Sequence, residues 1–435
     1  MVLFVPPALQ TPAPTAAPLP AAPLAFDLTQ ALSRARVENP QIRAAKARVD
    51  EREGLITSTR ADALPQIALV GDFTRVRDVS LLNSGFGDSA AAFGLNPASL
   101  VGARNVWTSQ ATFSQPLFYW GKLGTAIKVA KMGEREARYA YTTAELDVLH
   151  GVAKAYLAVL GAQADLEVVK VRKQAAETFL ADVKAKLEAQ SATELDLLRA
   201  QSELLSVEPE NLQAEASLQR AVEVLDGQLG LDPKTPLVLA PMGQPALGAR
   251  PEGRERSEIA QLKQDEAMYR ENDKILKSDL RPKFDFNASY GYQAGKTDLL
   301  FKEPYDAWKV NVTMRFPIFD GLRSSGKRAQ NTAQLEQVRQ ARIDRERAIA
   351  VEQRSADREL EKAVALNEAA GKAHDAAAEA LRVSRESFDQ GLITSLDLLQ
   401  AERAERQAES QRRRAELGVW SALFDQRRSL GLPPQ

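Results

Sequence analysis

Leu195-Asp196-Leu197-Leu198 recurs 201 positions later as Leu396-Asp397-Leu398-Leu399. The same shift carries Gln115-Pro116-Leu117-Phe118 onto Phe316-Pro317-Ile318-Phe319. Self-similarity at one fixed spacing indicates an internal repeat, and this period is too long for a solenoid unit. The chain is therefore predicted to contain one architecture built twice, by tandem duplication.

The two repeats differ in length at one place. Pro65 corresponds to Pro282, a shift of 217, so the extra 16 residues lie in a loop after Pro65. We place repeat one at 27–230 and repeat two at 254–432. The segment between them, 231–253, is rich in Pro and Gly and is predicted to be a connector.

The composition argues against several classes of function. The net charge is −1, which favours neither nucleic acid nor an acidic surface as a partner. The chain has no cysteine and two distant histidines, so neither a metal site nor a cofactor is expected, and no catalytic set appears. Residues 1–26, rich in Ala and Pro, are interpreted as a disordered tail or an atypical export signal.

In each repeat, two segments alternate apolar and polar side chains with the period of a β-strand. The predicted strands are 66–75 and 106–115 in repeat one, and 283–292 and 307–316 in repeat two. Strands of about 10 residues can cross a membrane when tilted, whereas no apolar stretch is long enough for a membrane helix. The side chains expected to face lipid are Phe73, Trp107, Phe113, Phe284, Phe286, Tyr290, Tyr292, Trp308, Val310 and Val312. A soluble sandwich with one buried face is the alternative.

Each second strand leads into a very long helical stretch. No proline occurs from Lys122 to Gln190, which at ~1.5 Å per residue gives roughly 100 Å of helix. A turn at 190–193 precedes a return helix, and a turn at 390–394 does the same in repeat two. Helices this long and polar are stable only with coiled-coil partners.

The order of these elements resembles the TolC-like outer-membrane factor family of Gram-negative bacteria. The resemblance includes Asn39-Pro40-Gln41-Ile42 and Leu64-Pro65-Gln66-Ile67, and it covers residues 27 to 432. It implies an α+β membrane protein, a homotrimer whose four strands per chain close a 12-stranded β-barrel that continues into a long periplasmic α-barrel. It further implies an outer-membrane channel of a tripartite efflux or type I secretion system. Such a channel is a passive duct from a periplasmic adaptor and an inner-membrane pump to the exterior, and not an enzyme.

Asp196 and Asp397 follow the two helix turns at matching positions. The resemblance puts these turns at the closed periplasmic end, where a trimer would bring six carboxylates into a cation-favouring gate. Crowding there would raise some of their pKa values. The alternative is a local role, because Thr193 and Thr394 each stand where they would form a capping box with the aspartate. The turn residues expected to contact the adaptor are Gln190, Ser191, Ala192, Gly391, Leu392 and Ile393.

One other function stays open from the residues alone. The chain could be a soluble, elongated coiled-coil scaffold or adaptor whose strands form a small docking sheet, and detergent dependence separates the two hypotheses. The arginines between Arg403 and Arg414 alternate with glutamates, which indicates a solvated, ion-paired helix face. The sequence does not predict the cargo.

Overall fold

The structure is a computed structural model. It describes residues 24–77, 89, 92–94, 103–191, 193–232, 237–245, 247–390, 392–393 and 395–434. The chain divides into two compact units. The helical unit comprises Met1–Ala44, Thr142–Arg256 and Ala348–Gln435, and the sheet unit comprises Ala45–Tyr141 and Ser257–Arg347. Each unit draws on both repeats, so neither unit corresponds to one repeat.

Seven long helices and six strands make up the described residues. The helices are α1 Leu28–Glu38, α2 Pro40–Ala61, α3 Lys122–Glu188, α4 Glu194–Leu229, α5 Ser257–Ser278, α6 Arg323–Asp389 and α7 Ser395–Ser429. The strands are β1 Leu24–Phe26, β2 Gln66–Val76, β3 Arg104–Phe118, β4 Leu237–Leu239, β5 Lys283–Ala294 and β6 Asp306–Arg315.

The helical unit has a core where α3 meets α7. Ala153 and Leu157 pack against Phe424, and all three are buried. The neighbouring Tyr156 is 1% exposed, and its hydroxyl donates to Ala240 O at 2.6 Å. This bond ties the connector to α3 and leaves the buried phenol satisfied.

The first strand corrects one expectation. Residues 1–26 are predicted to be a tail, yet β1 at Leu24–Phe26 pairs in parallel with β4 at Leu237–Leu239. The pairing satisfies backbone groups of the connector, which a flexible linker would leave to water. The rest of the predicted tail lies outside the described residues.

The sheet unit contains four antiparallel strands in the order β2-β3-β5-β6. One row of directly paired residues crosses it from Ile67 through Phe113 and Ala288 to Val310. Because paired residues lie on the same face, this register aligns the apolar positions of all four strands. Of the described strands, β2 pairs only with β3 and β6 only with β5, so both outer edges lack a partner.

Strand β3 is longer than the predicted segment, with 15 residues. It is paired on both sides, and its register with β5 shifts between Pro116 and Phe118, where proline offers no N–H to the ladder. Strand β6 instead ends at Arg315, so Phe316 falls outside it.

A matching bend leads from each of β3 and β6 into its long helix. Trp120 and Gly121 have φ of 54° and 76°, and Gly321 and Leu322 have φ of 68° and 65°. Two consecutive left-handed residues reverse the chain, and each pair keeps one glycine, which carries no Cβ penalty there. The long helices begin immediately afterwards.

Candidate functional site

The first candidate site is the turn between α3 and α4 in the helical unit. Ser191 N donates to Lys186 O at 2.8 Å, and Gln190 adopts a left-handed φ of 54°. This six-to-one bond closes the carboxyl end of α3 as a Schellman-type cap does. Gln190 and Ser191 are exposed, as expected for contact residues, and Ala192 lies outside the described residues.

The second turn, between α6 and α7, repeats this geometry. Leu392 N donates to Ser387 O at 2.8 Å, and both atoms lie 201 positions beyond their counterparts in the first turn. Leu392 is 71% exposed and Ile393 is half-buried. Gly391 lies outside the described residues.

Asp196 lies in the first turn of α4 and caps it. Thr193 Oγ1 accepts from Asp196 N at 3.2 Å, while Asp196 Oδ2 accepts from Thr193 N at 3.1 Å and from Thr193 Oγ1 at 2.6 Å. These donors, with Arg199 at 3.9 Å from Oδ1, lower the pKa of Asp196 below its usual range. The capping box predicted for this turn is confirmed, and the carboxylate is ionised at neutral pH.

Asp397 occupies the matching position in α7. It is exposed and lies in the first turn of the helix, where a negative charge is favourable. Thr394, its expected capping partner, lies outside the described residues. The two aspartates are therefore equivalent in their own helices.

One feature of the helical unit was missed by the sequence analysis. Glu203 of α4 lies between Arg172 of α3, at 3.2 Å, and Arg403 of α7, at 3.1 Å. This carboxylate links a hairpin of repeat one to a helix of repeat two, beside a cavity of 440 Å³. Arg412 and Arg413, by contrast, pair with Glu409 of their own helix, as predicted for an ion-paired face.

The second candidate site is the apolar face of the sheet. The register places all ten predicted side chains on this one face: Phe73, Trp107, Phe113, Phe284, Phe286, Tyr290, Tyr292, Trp308, Val310 and Val312. Many are solvent-exposed in a single chain, including Trp308 at 73% and Val312 at 60%. An exposed apolar surface of this extent marks an interaction or membrane face.

The opposite face of the sheet is polar. Its rows include Gln66, Ser114, Asn287 and Asn311, which are paired in that order across the four strands. Ser114 Oγ donates to Asn287 Oδ1 at 3.0 Å. The sheet therefore separates an apolar from a polar environment.

Two searches of the described residues complete the site. None of the described helices is long and apolar enough to cross a membrane. No group of three or more His, Asp or Glu side chains in the described part of the chain is arranged to hold a metal ion.

A family model described as outer membrane efflux protein matches residues 31–231 and 254–431. The chain belongs to this family. The two matched blocks correspond to the two repeats, and the predicted resemblance is confirmed. As an outer membrane efflux protein, it is a channel protein of efflux and secretion systems, and it lies in the bacterial outer membrane with a periplasmic extension.

Similar proteins cover nearly the whole chain. Outer membrane protein TolC of Vibrio cholerae is 25% identical over 92% of this chain and 88% of its own. Protein CyaE of Bordetella pertussis is 26% identical over 80% of this chain and 74% of its own. Among solved structures, outer membrane protein VceC of Vibrio cholerae has a TM-score of 0.74 at 20% identity, with 94% and 97% coverage. The CmeC outer membrane channel of Campylobacter jejuni has a TM-score of 0.78 at 15% identity, with 93% and 85% coverage.

Proposed function

We propose that three copies of this chain close a twelve-stranded barrel and form the passive exit duct of a tripartite efflux or type I secretion system. The observation that carries the proposal is the four-stranded sheet, with one apolar face and two outer strands that lack a partner. Unpaired backbone groups in lipid cost several kcal/mol each, so the edges must be covered by other copies. Strand β6 of one copy would pair with β2 of the next.

The partners follow from the same proposal. The helix turns at Gln190, Ser191 and Leu392 would contact a periplasmic adaptor, which connects the duct to an inner-membrane pump. The relatives include a pyoverdine export protein and an alkaline protease secretion protein, both of Pseudomonas aeruginosa, so both small molecules and proteins are supported as cargo. The duct would need neither a cofactor nor catalysis.

Asp196 and Asp397 would supply the gate of this duct. Asp196 is ionised, its Oδ2 is engaged by Thr193, and its side chain is 42% exposed. Capping therefore leaves a negative charge at the turn, so the local and the gating roles are compatible. Six such carboxylates in a trimer would favour cations.

Light scattering and single-channel recording of the purified protein test the proposal. A trimer in detergent with a cation-selective conductance is expected, and a stable monomer that is soluble without detergent would overturn it. Asp196→Asn with Asp397→Asn should weaken cation preference. The control replaces the exposed Asp50 of α2 and Asp344 of α6 by Asn, which should leave selectivity unchanged. Unchanged selectivity in the first pair would remove the gate but keep the duct.

A further inference from the structure

The motif Gln115–Phe118 and its repeat Phe316–Phe319 leave apolar side chains uncovered. Leu117 and Phe118 are 54% and 50% exposed, and Ile318 and Phe319 are 87% and 79% exposed. Trp120, 42% exposed, stacks edge-on against Phe118 with ring centroids 5.0 Å apart. These five residues are called the collar below.

The collar lies at one end of the apolar face. Strand β3 ends there, and its antiparallel neighbours begin and end at the same level, β5 at Lys283 and β6 at Arg315. Phe118 is paired with Phe284, which belongs to the apolar face. The collar therefore continues the apolar face to the end of the strands, where Trp is typical of a membrane–water boundary.

A cationic side chain lies against the collar. The guanidinium of Arg281 lies over the Trp120 ring, 5.1 Å from its centroid. The indole is held in place because Trp120 Nε1 donates to Pro282 O at 2.7 Å. Arg281 is exposed and has no carboxylate within ion-pair distance among the described residues, whereas the nearby Lys283 pairs with Asp279 at 3.2 Å.

We propose that Arg281 binds the phosphate of an anionic phospholipid at the membrane boundary, with the acyl chains against the collar. The proposal rests on the proposed function, since it requires the sheet to lie in the membrane. A guanidinium presents a fork of donors that matches a phosphate, and the aromatic ring beneath it limits its motion. The apolar collar beside the charge favours a lipid over a free anion.

The duplication did not copy this site. The counterpart of Arg281 in repeat one is Leu64, and the counterpart of Trp120 in repeat two is Gly321. Each chain therefore has one such site, on the junction between β3 and α3. Lipid binding should saturate at one high-affinity molecule per chain.

Native mass spectrometry tests the site on the full-length protein, delipidated in a nonionic detergent and titrated with phosphatidylglycerol. Arg281→Gln should weaken binding about fivefold, the effect of one cationic side chain at an anionic surface. Arg281→Lys keeps the charge and should fall between. The matched control is Arg358→Gln, an exposed arginine of α6 without an ion pair among the described residues, and it should bind as the wild type does.

Other outcomes decide between sources and between proposals. Phosphatidylethanolamine should bind the wild type and Arg281→Gln equally, and millimolar inorganic phosphate should not displace phosphatidylglycerol. Equal phosphatidylglycerol binding by the wild type and Arg281→Gln overturns the lipid site, as does displacement by phosphate. If Arg281→Gln does not assemble, Trp120→Leu removes the support of the guanidinium and should also weaken binding. A wild type that forms trimeric channels without preferring phosphatidylglycerol refutes the lipid site alone.

Discussion

Asn39 and Arg256 make the same contact in the two halves of the helical unit. Asn39 Nδ2 donates to Gln228 O at 2.8 Å, and Arg256 Nη1 donates to Ser429 O at 3.3 Å. The donors are related by the shift of 217 and the acceptors by the shift of 201. In both halves a buried side chain thus satisfies a carbonyl at the end of a return helix, one of the groups that helix termini leave unpaired.

Replacing Asn39 should destabilise the helical unit. Asn39 Oδ1 also accepts from Gln41 N at 2.8 Å, so Asn39→Ala removes the cap of α2 and leaves Gln228 O unsatisfied. We expect a loss of about 2 kcal/mol, measured by thermal unfolding in detergent. Asn39→Asp keeps the acceptor for the cap but places a carboxylate against the carbonyl. If Asn39→Asp is as stable as the wild type, the contact with Gln228 contributes nothing.

Gly291→Ala should disrupt pairing between β3 and β5. A Cβ at Gly291 would overlap Ser109 O and the Cα of Gln110, both backbone atoms that cannot rotate away. Overpacking of this kind costs about 1–3 kcal/mol, and we expect a lower yield of assembled channel and a lower unfolding temperature. Gly71→Ala is the matched control, because Gly71 also faces β3 in the register and an added Cβ there meets nothing within 4 Å. Equal effects of the two substitutions would contradict this account.

Stability should depend on pH through Asp265 of α5. Burial, and then the charge of Glu136, raises the pKa of Asp265 to about 6. The folded state then binds this proton more tightly than the unfolded state, so the ionised carboxylate lowers stability above pH 6, by roughly 2 kcal/mol. Asp265→Asn should therefore raise the unfolding temperature at pH 8. The difference should shrink as the pH falls through 6 and be small at pH 4.

Asp273, on the same helix, gives the opposite sign. Hydrogen bonds from Lys277 and Arg328 lower the pKa of Asp273, so its ionised form stabilises the fold. Asp273→Asn should lower the unfolding temperature at pH 8. An equal shift in both variants would show that any added amide, and not the two pKa changes, determines stability.

Thr193 should set the pH at which the proposed gate loses its charge. Its hydroxyl and N–H lower the pKa of Asp196, so cation preference due to Asp196 should persist to a pH below the usual range of an aspartate. In a background of Asp397→Asn, Thr193→Ala should move this loss to higher pH. Single-channel reversal potentials across a pH series measure the shift, and Ser191→Ala, in the turn but not bonded to Asp196, is the control.

Local patterns predicted the elements, and long-range pairing determined what they missed. The starts of β2 and β5 could be read from Pro65 and Pro282, since proline ends the preceding helix. The length of β3 could not, because its last residues are held by β5, far away in sequence. Strand β1 is three residues long and exists only through its pairing with β4, so it has no periodicity to detect.

The functional residues divide in the same way. The capping box of Thr193 and Asp196 is a local pattern, and it was predicted from their spacing. The contact between Glu203 and Arg403 depends on how a helix of one repeat packs against a helix of the other, and no spacing reports that. The position of Arg281 over Trp120 is equally invisible, because 161 residues separate them in the chain.

The two bends before the long helices have a consequence for comparing the halves of this molecule. Glycine is the second residue of the bend at Gly121 and the first at Gly321, while the backbone angles agree at both places. Matching glycine to glycine would give a shift of 200 and slip the register by one position. Evolution has kept the torsion and let the letter migrate, so equivalence here is defined by dihedral angle, and any consensus drawn from residue identity alone would misplace the start of both rods.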